Sequence, residues 1–319
     1  MMSFGKITAT ARYLPEKIVT NDDLAQWMET SDEWIQSRTG IRQRRIAEAE
    51  NTSDMCFKVA EKLMTKSKLD PIDLDFVIVA TMSPDYTSPS VACQVQGMIG
   101  ASRAMAFDIT AACAGFVYAL ATAENFIRSG MKRGIVIGGE KTSKLLDWDD
   151  RSSAVLFGDG AAGVLLESSE QASIMKQMLR ADGERATSLT AGYRQNKNPF
   201  CTNSEVNPSL SMDGRGIWNF ALNDVTKSLK EFIGDESVDY YLLHQANKRI
   251  IEKIARKMDE PIEKFPMNLM NYGNTSAASI PILLDELIEA GILSLNGKQK
   301  VVLTGYGGGL AWGNLLIQL

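Results

Sequence analysis

The stretch Ala104-Met-Ala-Phe-Asp-Ile-Thr-Ala-Ala-Cys-Ala-Gly-Phe116 reads as a buried strand, a two-alanine step and the head of a helix that carries a cysteine. That helix runs from Cys113 to about Ser129 and stops at Gly130, a residue that takes the left-handed conformation closing many helices. Upstream, Asn51-Thr-Ser-Asp opens an amphipathic helix to about Ser67. The apolar strand Leu74-Asp-Phe-Val-Ile-Val-Ala-Thr81 and a helix near 89–98 follow. Downstream, Gly134-Ile-Val-Ile-Gly-Gly139 and Ala154-Val-Leu-Phe-Gly158 read as further strands. Helix and strand signals alternate, which is the α/β signature.

The chain turns polar and irregular from about Ser168 to Asp213, which places a boundary near 168–172 between an N-terminal half, 1–170, and a C-terminal half, 171–319. In the second half Asp239-Tyr-Tyr-Leu-Leu243 is a strand leading into His244-Gln-Ala-Asn247 and a helix. Asn274-Thr-Ser-Ala-Ala-Ser279 begins another helix, which stops at Gly291 before the strand Val301-Val-Leu-Thr-Gly305. Cys113 to Gly130 and Asn274 to Gly291 are both intervals of 17 residues, a faint internal repeat.

A chain of 319 residues suggests about two structural units and needs no disulfide or metal to supplement its core. With 34 basic against 39 acidic side chains the net charge is −5, so no global field attracts nucleic acid. No signal-peptide core and no run of about 18 apolar residues is present, which predicts a cytoplasmic protein without a membrane span. The four cysteines, Cys56, Cys93, Cys113 and Cys201, show no C-x-x-C spacing and read as reduced thiols. The single histidine, His244, excludes any mechanism that needs two imidazoles.

Gly158-Asp-Gly-Ala-Ala-Gly163 matches a dinucleotide fingerprint but is followed by the strand-like Val164-Leu-Leu-Glu167, so it is expected to be a turn between strands. Cys56, Cys93 and Cys201 read as inert buried thiols. Cys113 differs, because a helix N-terminus favours the thiolate and its small neighbours admit a carbonyl. His244 follows an apolar strand in a polar run where packing does not call for imidazole. Asn274 serves either as a helix cap or as a catalytic amide. Gly305-Tyr-Gly-Gly-Gly-Leu-Ala-Trp-Gly313 is either a tight strand connection or a source of bare N–H groups for an oxyanion.

Taken in order, Thr30-Ser-Asp-Glu-Trp-Ile35, Arg38-Thr-Gly-Ile-Arg42, Thr110-Ala-Ala-Cys-Ala-Gly-Phe116, Asp150-Arg-Ser-Ser-Ala-Val-Leu-Phe-Gly-Asp-Gly160, His244-Gln-Ala-Asn247, Asn271-Tyr-Gly-Asn-Thr-Ser-Ala-Ala-Ser-Ile-Pro281 and Gly307-Gly-Gly-Leu-Ala-Trp-Gly313 closely resemble the β-ketoacyl-acyl-carrier-protein synthase III family. The resemblance implies a thiolase-like fold, two similar halves forming a five-layered α-β-α-β-α core, as a homodimer, with Cys113 and Asn274 at corresponding helix starts. It implies that acyl-coenzyme A primes Cys113 and that malonyl-acyl-carrier protein then condenses with it. Coenzyme A is a substrate here, and no cofactor or metal is called for. Cys113, His244 and Asn274 become the catalytic set, and the N–H groups of Cys113 and Gly308 the oxyanion hole. Trp34 and Arg151 flank the adenine of coenzyme A, and Arg38 meets its phosphates. Gln245, Ala246, Asn247, Lys248 and Arg249 become the carrier-protein docking segment, continued by Lys253, Arg256 and Lys257 on one helix face, with Ile250, Ile251, Ile254 and Met258 turned to the core.

The sequence departs from the family at Tyr306, where phenylalanine is common, and at Ser88, where several relatives carry a bulky aromatic lining the partner's acyl pocket. Elongating synthases of the superfamily need two histidines and thiolases a second cysteine in the C-terminal glycine loop; this chain has neither. A secondary-metabolite synthase of the same architecture, a non-catalytic acyl-binding protein and a cysteine hydrolase are the competing readings.

Overall fold

Phe76–Ala80 and Arg133–Glu140 are near-continuous apolar runs, and such runs belong in parallel strands covered on both faces. In the computed structural model, which describes residues 3–194, 198–201 and 206–319, they pair in parallel. Met105–Ile109 adds in parallel beside Phe76–Ala80, while Gly160–Ser169 and Phe4–Tyr13 complete the sheet in antiparallel sense. A second sheet holds Tyr240–Leu243, Lys300–Gly307, Ala311–Gln318 and Ile174–Ala181 in that order.

Thr52–Ser67 and Val91–Ile99 pack on the outer face of the first sheet, started by caps at Asn51 and Ser90. Gly115–Arg128 and Ser279–Glu289 lie between the sheets and touch both. Thr226–Ile233 and Lys248–Met258 bury Leu229, Ile250, Ile251 and Ile254 against Tyr241, Leu243, Val302 and Leu316 on the far side of the second sheet. These are the five layers α-β-α-β-α. The strands of the first sheet come from residues 4–169 and those of the second from 174–318. Among the described residues no helix is long and apolar enough to cross a membrane.

Three expectations are corrected. Ala154–Gly158 is not a strand: Arg151–Ala154 is a short helix capped by the Asp150 side chain, and the strand begins only at Gly160. Between them Phe157 makes a single parallel bridge to Asn274. Glycine is required at 158, because a Cβ there would stand 2.3 Å from the Tyr272 carbonyl oxygen. The region read as irregular contains the strand Ile174–Ala181, hidden from sequence because it is a sheet edge with Met175, Lys176 and Gln177 exposed.

The third correction concerns the repeat. Both central helices begin with a 3₁₀ turn, Ala112–Ala114 and Ser276–Ala278, whose first residue has positive φ, 43° and 49°. Cys113 therefore corresponds to Ala277, and Asn274 to Thr110, one turn earlier. The equal 17-residue intervals arise because the second helix, with 11 residues, is three shorter than the first, with 14. Because Ala154–Gly158 is not a strand, the Gly158–Gly163 motif is not the expected turn between strands. A short helix precedes it, Gly160–Gly163 already lie inside the strand Gly160–Ser169, and the motif is followed by no helix, as expected.

Candidate active site

The chain leaves Met105–Ile109, turns through Ala111 and Ala112, and places Cys113 in the 3₁₀ turn that heads Gly115–Arg128. The strand end at Gly307 lies directly over it: a Cβ at Gly307 would be 2.9 Å from the Cys113 Cβ and 3.0 Å from its backbone nitrogen. Only glycine admits this approach. Gly308 sits one step beyond, where its Cβ would meet Leu189 and Ala112.

Cys113, His244, Asn274 and Gly307 line one cavity of about 240 Å³, together with Phe157, Leu189, Ile217 and Trp218. Its other walls carry Trp34, Arg38, Ser152, Ala246 and Asn247. An apolar enclosure with a few convergent polar groups is the usual form of a small-molecule site. Among the described residues no cluster of three or more His, Cys, Asp or Glu is arranged to hold a metal ion.

His244 continues the strand Tyr240–Leu243, its N–H bonding the Thr304 carbonyl at 2.9 Å. Its ring stands edge-on to Tyr306, with centroids 5.3 Å apart, and Nδ1 lies 2.8 Å from Ser279 Oγ. That hydroxyl oxygen accepts the Gln245 N–H at 3.4 Å, and when its own proton is donated to Nδ1 the ring hydrogen sits on Nε2. Burial alone pushes the imidazole pKa down to about 3, so the ring is neutral at physiological pH. Asn274 is held by its own backbone, through its N–H to the Leu156 carbonyl and its carbonyl to the Gly158 N–H. Its Oδ1 accepts the Ser276 N–H at 2.8 Å, which assigns the amide and leaves Nδ2 as a donor.

The thiol does not follow the helix-terminus expectation. Burial pushes Cys113 up to about 12, helped by the Glu140 charge and opposed by a hydrogen bond to Ser276. Desolvation outweighs the helix terminus here. Among the other cysteines Cys56 is buried as expected, but Cys93 and Cys201 are exposed.

Trp34 lies on the helix Asp32–Thr39, whose cap Ser31 accepts the Trp34 N–H. The guanidinium groups of Arg38 and Arg151 both approach its ring. Of the expected docking segment, Lys248 and Arg249 are exposed, and Ala246 and Asn247 are half-buried at the cavity wall. Gln245 is corrected to a buried scaffold residue: it is 1% exposed, and its amide bonds the Leu243 carbonyl and the Asn268 N–H. Arg249 and Lys253 lie over the Trp218 ring, while Lys257 is tied to the Leu222 carbonyl. Ser88 is exposed and does not line the cavity.

Sequence reasoning passed over Glu140, Ser276, Ser279, Leu189 and Trp218. A charged residue ending the apolar run Gly134–Gly139 was the available signal for Glu140. Nothing local marks Leu189 and Trp218, whose segments reach the cavity only through the fold.

A five-layered α/β fold whose central helix presents a cysteine to a histidine and an asparagine defines a thiolase-like condensing enzyme. Residues 107–183 match the family described as 3-oxoacyl-[acyl-carrier-protein] synthase III, and residues 230–319 match its C-terminal part. The β-ketoacyl-[acyl-carrier-protein] synthase III of Enterococcus faecalis is 56% identical over 100% of both chains, as is that of Streptococcus suis. The crystal structure of the synthase III from Aquifex aeolicus superposes with a TM-score of 0.91 at 41% identity, covering 99% of this chain and 100% of that one. The chain belongs to the β-ketoacyl-acyl-carrier-protein synthase III family and is an acyltransferase of the condensing type.

Proposed function

We propose that Cys113 accepts the acyl group of an acyl-coenzyme A primer and that His244 and Asn274 activate malonyl-acyl-carrier protein for condensation with it. The Cys113 thiolate attacks the primer thioester, the N–H groups of Cys113 and Gly308 hold the oxyanion, and coenzyme A leaves. Malonyl thioester follows, and loss of carbon dioxide leaves an enolate. His244 Nε2–H and Asn274 Nδ2–H donate to its oxygen, and its carbon attacks the acyl-cysteine to give 3-oxoacyl-acyl-carrier protein. One such donor typically carries ~10²–10³ in rate. The observation behind this reading is the orientation of both groups: each has its other polar atom occupied, by Ser279 and by the Ser276 N–H.

Residues 1–170 and 171–319 act as the two halves, the first bringing the nucleophile and the second both donors. Trp34 and Arg151 bracket the adenine, and Arg38 meets the phosphates. Arg249, beside Lys248 and Lys253, meets the acidic carrier protein. The protein works as a cytoplasmic homodimer in which the exposed Ser88 segment of one protomer reaches its partner. The chemistry needs no cofactor beyond the coenzyme A thioester.

The test is peptide-resolved mass spectrometry after acyl-coenzyme A is added, followed by malonyl-acyl-carrier protein and product analysis. Acyl-Cys113 and a 3-oxoacyl thioester are expected. A free acid as product identifies a hydrolase, and acylation of Cys56, Cys93 or Cys201 overturns the assignment.

A further inference from the structure

Beside Cys113 lies a second polar chain, to which the reading above assigns no role. Cys113 Sγ is 3.5 Å from Ser276 Oγ, and Ser276 Oγ is 3.1 Å from Glu140 Oε1. Ser276 and Glu140 are both 0% exposed. We propose that Ser276 and Glu140 form a proton relay for Cys113, taking the thiol proton when the acyl group arrives and returning it when Cys113 is released. This rests on Cys113 being the acyl acceptor.

Direction and environment both favour transfer. When Glu140 is ionised the Ser276 hydroxyl donates to the carboxylate and its oxygen accepts from the thiol, which is the direction the relay needs. Glu140 also accepts from Ser83 Oγ, Thr81 Oγ1 and the Met82 N–H. Among the described residues none of its hydrogen-bond donors is a cation. A fully buried carboxylate without a bonded cation is costly unless it can take up a proton. The titratable groups that feel its charge are Cys113, Cys56 and the exposed Lys144. Burial lifts Glu140 to about 7, which brings a carboxylate base close to working pH. Ser276 itself holds φ at 49°, unusual for a residue with a side chain, and such strain concentrates at functional sites.

The step balances without an oxidant or reductant. The Cys113 S–H bond breaks as its proton passes to Ser276 Oγ, whose own proton passes to Glu140. The sulfur electron pair forms the new S–C bond, and coenzyme A leaves as thiolate and takes a proton from water. In the condensation the S–C bond breaks, its electron pair returns to sulfur, and the stored proton comes back along the same path. Ser276 touches the reacting sulfur; Glu140 acts through it as a positioning residue.

The experiment follows iodoacetamide alkylation and acetyl-coenzyme A acylation of Cys113, peptide by peptide, between pH 5 and 9. The exposed Cys93 and Cys201 then do not obscure the result. In the unmodified protein both rates should rise through an inflection near pH 7, set by Glu140. Ser276→Ala and Glu140→Gln should lose that inflection and be at least about tenfold slower at pH 8, within the range of general-base effects. Ser276→Thr, which keeps a hydroxyl, should restore it. A purely electrostatic role predicts the opposite for Glu140→Gln: removing the negative charge would lower the thiol pKa and speed alkylation. Unchanged or faster alkylation in both variants overturns the relay. Should Glu140→Gln fail to fold, the Ser276→Ala and Ser276→Thr pair decides alone. If acetyl-coenzyme A leaves Cys113 unlabelled while the alkylation inflection is present, it is the acyl-acceptor assignment that fails and not the relay.

Discussion

The guanidinium carbon of Arg151 lies 5.3 Å from the centre of the Trp34 ring. A third flat group between them would need about 7 Å, two aromatic contact distances. An adenine can enter only if Arg151 swings away, and this side chain is exposed and donates to the Glu29 carbonyl. Arg38 approaches the same ring at 5.1 Å, so Trp34 is not left bare when Arg151 moves. Arg151→Ala should therefore raise the KM for acyl-coenzyme A by about three- to thirtyfold, the range of a stacked cation. Malonyl decarboxylation should stay within about twofold. Steady-state kinetics on the two half-reactions separates these outcomes, and equal losses in both would remove Arg151 from the primer site.

Ser279 Oγ lies 2.8 Å from His244 Nδ1, and donation from its hydroxyl selects the tautomer with hydrogen on Nε2. Ser279→Ala should cut malonyl decarboxylation by about tenfold to a hundredfold while Cys113 still takes up an acyl group. In the unmodified protein decarboxylation should show no inflection near pH 6.5, since the imidazole ionises only at about 3. An acid limb at 6.5 that disappears in His244→Gln would show that the ring is protonated during turnover.

The same depressed pKa makes a stability statement. Between pH 6.5 and about 3 the unfolded chain holds a proton on His244 that the native chain does not. This contribution is complete above 6.5 and is lost as pH falls toward 3, up to about 5 kcal/mol by linkage. Urea unfolding at pH 7 and pH 4 should show His244→Gln losing less stability than the unmodified protein. A larger loss in the variant would contradict the sign.

The Tyr306 hydroxyl is buried and, among the described residues, has no hydrogen-bond partner. Tyr306→Phe removes an unpaired buried oxygen and should stabilise the protein by about 1 kcal/mol. Thermal unfolding measures this directly. A destabilised variant would mean the hydroxyl has a bound partner in solution.

Arg249 and Lys253 flank Trp218 at the cavity rim, whereas Lys257 is anchored to the Leu222 carbonyl. Arg249→Glu should raise the KM for malonyl-acyl-carrier protein, with a steep dependence on ionic strength, because rim charges act on encounter. Lys257→Glu should act mainly on stability. Acylation by acyl-coenzyme A should be nearly unchanged in Arg249→Glu, and equal damage to both half-reactions would withdraw the docking face.

Strand and helix order was legible wherever burial imposes a period on the sequence. The run Phe76–Ala80 announces itself by its unbroken apolar character, and the capped helix Thr52–Ser67 and the Cys113 turn by backbone bonds made to near neighbours. Cys113, His244 and Asn274 stood out as candidates for a related reason: each stands at the junction of an apolar strand or glycine turn with a helix start. What the sequence could not determine is set by desolvation and long-range approach. The thiol is raised and not lowered because distant segments close over it, Gly307 from one side and Ser276 and Glu140 from another. Cys93 and Cys201 are exposed, which their own residue type does not announce, and Gln245 is buried because Asn268, 23 residues away, claims its amide oxygen. The edge strand Ile174–Ala181 exists because Ala311–Gln318 offers it a free row of hydrogen bonds, a property of the neighbour and not of its own residues.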